Sequence, residues 1–343
     1  IFSASSPGLS RSLTSNSLVR KFQVRILITG GTGVNGAVTA RLLISEGMRP
    51  VLLDNRMDFS LIADIRSNVD LVQADILDPQ ALERVVTRYQ ITHIAHLAAL
   101  MPGPAEADPR LAVKVGVDGT VNVLEVARAH KIRRIVFTSS KAVYGEILGK
   151  FSDPQFVPIR EEHPKRPADL YGVIKVCCET VGNYYREKYG VEFVALRFST
   201  IYGPGKEARH GAYSFYGQLI EKVMAGEEVV IPEGGDQLND TVYAGDVARS
   251  ILLALKAERL GQWVFNIGTG KGYTPRDFGV VLKRIYPTAK IEIGPGLSML
   301  GRAKRNYCIF DVGAAGIHLG YLPRYDVEKG IRDYIETVRR LRP

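Results

Sequence analysis

Only three cysteines, Cys177, Cys178 and Cys308, occur in the 343 residues, and they form no CxxC pair. An odd count without paired spacing argues against a disulfide framework and fits a reducing compartment. Histidine is equally sparse, and of the six only His93 and His96, in THIAHLAA, stand three apart in a motif of interest. That stretch reads as a strand, where positions three apart face opposite sides, so no metal site is predicted. No apolar run approaches the ~20 residues of a membrane span. The longest, such as RILITG and RRIVFTSS, are strand-length. A soluble, cytoplasmic protein without membrane contact is the expectation. Acidic residues are missing from the first 25 positions, which carry Arg11, Arg20, Lys21 and Arg25. Positions 301–343 hold nine basic against five acidic residues, so the net charge of +9 sits at the two ends. The near-neutral middle offers no basic groove, and no nucleic-acid partner is expected. Residues 1–23, rich in Ser and Arg, have the composition of an organelle transit segment or of a disordered leader or tag, and are set outside the fold.

From Val24 onward short β-branched runs alternate with helical patterns. VRILITG, RPVLLDN, VDLVQAD, ITHIAHLAA, RRIVFTSS and VEFVALRFS read as strands. Helical patterns lie between them, the longest over LAVKVGVDGTVNVLEVARAH and LYGVIKVCCETVGNYYREKYG. Such spacing implies βαβ units and a Rossmann-type, doubly wound parallel sheet over residues 24–204. Past Pro204 the alternation loosens into Gly- and Pro-containing strand signals with single helices. This predicts a smaller C-terminal α/β substrate lobe over 205–343, interleaved with the sheet domain. No internal repeat is evident.

The first strand runs into TGGTGVNG, which spaces Gly30, Gly33 and Gly36 three apart ahead of a helix. Gly30 permits the tight turn, Gly33 lets backbone approach a pyrophosphate, and Gly36 lets helix and strand pack closely. The helix N-terminus offers free N–H groups to phosphate. Asp54 closes the second strand, 24 residues after Gly30, where an acid accepts hydrogen bonds from an adenosine ribose. Its charge would repel a 2′-phosphate, so the expected cofactor is NAD, with Arg56 keeping NADP open. Asp75 is placed either to reach the adenine or to cap the following helix.

DLYGVIK puts Tyr171 and Lys175 one helical turn apart on one face. Alone, that spacing fits ordinary packing. With TGGTGVNG, HLAA, SSKAVYG, YGVIK and LRFSTIYGPG in this order, the chain resembles the extended short-chain dehydrogenase/reductase family, the NAD-dependent epimerase/dehydratase group, from about Val24 to the C-terminus. The resemblance implies that Tyr171 is the acid/base, Lys175 its partner and a ribose contact, and Ser140 the residue that binds the reacting oxygen. It implies cofactor contacts from Gly30, Gly33, Gly36, Asp54, Asp75 and Ala98, and substrate contacts from Ser140, Thr200, Asn239 and Arg302. A tyrosine near pKa 10 must come down by ~3 units to accept a proton near pH 7, about 4 kcal/mol. Lys175 and a cationic nicotinamide ring are expected to supply that. The helices over 111–130 and 171–189 match those that form a four-helix interface in the family, which implies a homodimer.

Three departures qualify the resemblance. Lys141 and Ala142 stand where the dehydratase branch has an Asp-Glu pair, so sugar 4,6-dehydration is not expected. Thr200 replaces a common Asn, and Asn239 replaces an Arg that clamps the substrate diphosphate; Arg302 or Arg305 would have to compensate. Gly116 replaces a helical Asn of the family's proton relay. The reading is an NAD-dependent epimerase or dehydrogenase acting on a secondary alcohol of a sugar or nucleotide sugar. A dehydrogenase or reductase of a non-nucleotide hydroxy compound, such as a sugar acid, stands as the alternative, followed by a non-catalytic NAD sensor or an RNA-binding relative.

Overall fold

The computed structural model describes residues 24–206, 214–297 and 307–341. In its first part β1 (Ile26–Thr29), α1 (Val34–Ser45), β2 (Val51–Asp54), β3 (Asp70–Gln73), α2 (Pro79–Arg88) and β4 (His93–His96) follow one another. The short helices α3 (Pro102–Ala107) and α4 (Pro109–Val113) lead through a π-helical turn, Lys114–Asp118, into α5 (Gly119–Ala129). Then come β5 (Arg134–Ser140), α6 (Leu170–Tyr189) and β6 (Phe193–Phe198). The second part holds β7 (Thr200–Tyr202), α7 (Phe215–Met224), β8 (Val229–Ile231), β9 (Asn239–Tyr243), α8 (Ala244–Lys256), β10 (Val264–Ile267), β11 (Gly272–Tyr273), α9 (Pro275–Ile285), β12 (Ile291–Ile293), α10 (Gly313–Leu319) and α11 (Val327–Leu341).

Seven strands form one sheet in the order β10-β6-β5-β4-β1-β2-β3, and every neighbouring pair is parallel. β1, β4 and β6 are buried at every position, as aliphatic strands covered on both faces must be. One face packs on α1 and α8 through Leu43, Val247 and Ile251. The other packs on α2, α5 and α6 through Leu82, Leu124 and Ile174. The chain moves outward from β1 to β2 and β3, then crosses to β4 on the other side. The crevice at the carboxyl ends of β1 and β4 is therefore the switch point where open α/β sheets take ligands.

β10 comes from beyond residue 205 yet pairs with β6, Val264 opposite Ala195. The rest of that part builds two small sheets, β11-β9-β7 and β12-β8. They enclose an aromatic core in which Tyr202, Tyr216, Tyr243, Phe278 and Tyr334 are buried together. β7 follows β6 after one residue, so the small lobe hangs directly over the sheet's carboxyl edge.

Candidate functional site

The glycine turn opens an elongated cavity of about 840 Å³ that runs from Asp54 and Asp75 past Ala98 to Ser140, Tyr171 and Thr200. Gly30 has φ +67°, and a Cβ there would lie 2.9 Å from the Ala98 nitrogen, so β1 and β4 close on each other only with glycine in place. Gly36 lies against the same turn, 2.5 Å from the Gly30 carbonyl if it carried a Cβ. Gly33 caps α1 without a side-chain hydrogen bond, which leaves the first-turn N–H groups facing the cavity. A dinucleotide pyrophosphate fits this donor set. The Asp54 carboxylate accepts from Thr32 N (3.1 Å) and Thr32 Oγ1 (2.9 Å), which fixes it at the cavity wall with lone pairs to spare for a ribose diol. Asp75 is not the cap of α2. Asp78 is, accepting from Ala81 N, while the Asp75 carboxylate accepts from Leu77 N and faces the cavity.

Ser140 ends β5, and Asp169 caps α6 by accepting from Gly172 N at 2.8 Å. The helix starts so close to the turn after β5 that a Cβ on Gly172 would lie 2.5 Å from the Ala142 carbonyl oxygen. Glycine in YGVIK is thus what lets Tyr171 approach the turn after β5, where it lines the same cavity as Ser140. Lys175 is buried, donates to the Thr138 carbonyl at 2.7 Å, and sits 4.5 Å above the Phe137 ring and 5.5 Å from the Tyr171 ring centre.

The electrostatics depart from the sequence expectation. Burial pushes the Tyr171 phenol up to about 12, with Asp169 adding to the rise and Ser140 opposing it. The same burial pulls Lys175 down to about 8. Lysine one turn away does not lower the phenol here, because its ammonium is buried and directed at the Thr138 carbonyl. Tyr171 is therefore a phenol, a proton donor, at neutral pH.

Ser139 and Ser140 split their work as strand alternation dictates. Ser139 Oγ donates to Glu179 Oε1 at 2.6 Å, and Glu179 holds Arg197 through two hydrogen bonds of 2.8 and 2.7 Å. Arg197 in turn donates to Tyr144 Oη and the Glu161 carbonyl. This buried hub pins α6 to β5 and β6 behind the face that carries Tyr171 and Lys175. The sequence reading missed Glu179, although it continues the four-residue spacing of Tyr171 and Lys175.

Of the substrate candidates, Thr200 lines the cavity and Asn239 is buried behind it, its Nδ2 donating to Thr200 Oγ1 at 2.8 Å. Arg302 and its alternative Arg305 lie outside the described residues. Lys141 and Lys206 also line the cavity and were not singled out as contacts. Lys206 donates to the Ile201 carbonyl at 2.6 Å, and burial lowers it to about 8. The Gly116 replacement has a packing cause. A Cβ there would lie 2.3 Å from Ile174 Cγ2, so α6 occupies the space a longer side chain would need. The Gly116 carbonyl accepts instead from Thr120 Oγ1 and Cys178 Sγ.

The model of the NAD dependent epimerase/dehydratase family matches residues 26–268. A putative UDP-glucose 4-epimerase of Methanocaldococcus jannaschii is 30% identical over 319 residues, 92% of this chain and 98% of that protein. The crystal structure of a Thermotoga maritima UDP-glucose 4-epimerase with UDP-glucose superimposes with a TM-score of 0.80 at 26% identity, covering 93% of this chain and all of the other. A Thermus thermophilus UDP-glucose 4-epimerase in complex with NAD gives 0.76 at 28% identity, covering 92% and 99%.

Proposed function

Because this chain belongs to the NAD dependent epimerase/dehydratase family and is an NAD-dependent enzyme of it, we propose that it oxidises, or oxidises and then re-reduces, a secondary alcohol of a sugar or nucleotide-sugar substrate at Ser140, Tyr171 and Lys175. The observation that carries this reading is that Ser140 at the carboxyl end of β5, Tyr171 and Lys175 line the same cavity as the glycine turn. NAD, when bound, accepts the hydride from the carbinol carbon and brings a positive charge in its oxidised form. Gly33 and the start of α1 would hold its pyrophosphate, Asp54 its adenosine ribose, and Lys175 its nicotinamide ribose. Ser140 orients the substrate oxygen, and Tyr171 Oη exchanges the proton with it. With a phenol resting at about 12, Tyr171 carries the proton that the reducing direction requires. In the oxidising direction it needs added positive charge before it can accept.

The relatives named UDP-glucose 4-epimerase favour a nucleotide sugar and internal return of the hydride. Asn239 in place of the diphosphate-clamping Arg favours a substrate held in another way, and so keeps a net dehydrogenase in view. Incubation with UDP-glucose, free sugars and sugar acids in the presence of NAD separates the two, since only a dehydrogenase accumulates NADH. Tyr171→Phe keeps shape and volume, so turnover should fall by about 10² or more while NAD affinity and melting temperature hold. Full turnover in a folded Tyr171→Phe protein would end the acid/base reading. We propose also that two copies pair through the α4–α5 segment, residues 111–130, and α6.

A further inference from the structure

Lys141 follows Ser140 directly and lines the cavity beside it. Its Nζ donates to Asn239 Oδ1 at 3.1 Å and stands 5.5 Å from the Tyr307 ring centre. Asn239 is fully buried and its amide is fixed from both ends, oxygen to the ammonium and nitrogen to Thr200. Thr200 Oγ1 accepts that N–H, which leaves its own hydrogen free to donate into the cavity it lines.

An ammonium has three donors, and among the described residues only one of Lys141's is met by a hydrogen bond. The neighbouring carboxylate, Asp240, is already taken by Ser199 Oγ, Thr269 N, Thr269 Oγ1, Gly270 N and Phe310 N. It forms no ion pair with Lys141 among the described residues. Burial lowers the Lys141 pKa although the residue as a whole is only half-buried. A desolvated cation with open donors is unfavourable unless a ligand brings the countercharge.

We infer that Lys141, oriented by Asn239 and assisted by the Thr200 hydroxyl, binds a carboxylate of the substrate close to the carbinol that Ser140 and Tyr171 handle. Among the described residues Lys141 brings one positive charge and Thr200 a neutral hydroxyl donor to this end of the cavity, which match a monoanion; a phosphate dianion calls for more positive charge. Asn239 stands where the diphosphate-clamping Arg would be, and it directs the Lys141 ammonium at the end of the cavity that Ser140 lines. The substrate is then a sugar acid, free or carried on a nucleotide. This rests on the proposed hydride-transfer reading for what lies beside the carboxylate, but the anion site is tested by binding alone.

The test is calorimetric titration of the NAD-loaded protein with glucuronate against glucose, and UDP-glucuronate against UDP-glucose. In at least one pair the acid should bind tenfold or more tighter than its neutral partner. Lys141→Met should reduce that preference to within about threefold, and Thr200→Val should reduce it partially. Preference in the free pair assigns a free sugar acid, and preference confined to the nucleotide pair assigns a nucleotide-borne one. Equal binding within both pairs, no binding of any of the four, or a preference untouched by Lys141→Met overturns the inference. Tyr171→Phe should retain the preference, so failure of the acid/base reading would show separately, as unchanged turnover in that variant.

Discussion

Glu179 and Arg197 carry the largest local cost at the residue scale. Both are buried, and Glu179 accepts from Ser139 and twice from Arg197. Glu179→Ala strands a guanidinium in the interior and should cost about 3–5 kcal/mol, read as a lower urea midpoint. A loss under about 1 kcal/mol would mean that the hub is solvated. Lys175 sets a pH effect of opposite character. Its folded pKa of about 8 lies below the ordinary 10.5 because burial disfavours the ammonium. Between those values the unfolded chain binds more protons than the native one, so raising the pH stabilises the fold. The stability of the parent relative to Lys175→Met should therefore be flat below pH 8 and rise by about 3 kcal/mol towards pH 10.5. A difference independent of pH would contradict the dry environment assigned to Lys175. Tyr171, Lys175 and Ser140 were legible from motif and spacing. Lys141's contact with Asn239 was not, because it joins positions about a hundred residues apart that no local pattern links.

At the scale of elements, α6 organises the site. It is capped by Asp169 at one end and by left-handed Gly190 at the other. Its partner across the core, read as one continuous helix, is interrupted by the π turn over Lys114–Asp118, where Ile174 presses against Gly116. Nothing in the hydrophobic periodicity marks that turn, since its cause is a side chain on another helix. Gly116→Ala should cost about 1–3 kcal/mol through overpacking, in spite of alanine's better helix propensity. Combining it with Ile174→Ala, which removes Cγ2, should show a favourable coupling in a double-mutant cycle, whereas simple additivity would show that the two helices are not in steric contact.

On the scale of the whole molecule, α4 exposes Val113 and α6 exposes Val173, Tyr184 and Tyr189. These exposed apolar side chains suit the proposed pairing through the α4–α5 segment and α6. Light scattering at micromolar concentration should give twice the 37.8 kDa chain mass, and Val173→Glu with Tyr184→Glu should return it to the monomer. A monomer mass for the parent would refute the pairing. The parallel sheet was readable because each βαβ unit is local. The small lobe was readable only as a looser pattern, since its aromatic core gathers Tyr202, Phe278 and Tyr334 from distant segments. The return of β10 to β6 has a consequence in time as well as space. During synthesis β6 emerges long before its outer neighbour Val264–Ile267, and until then it presents a bare row of amide and carbonyl groups. The ribosome must deliver some seventy more residues before the sheet's edge is closed, so the nascent enzyme passes through a stage open to wrong strand pairing, and a chain stopped at Pro204 stays there.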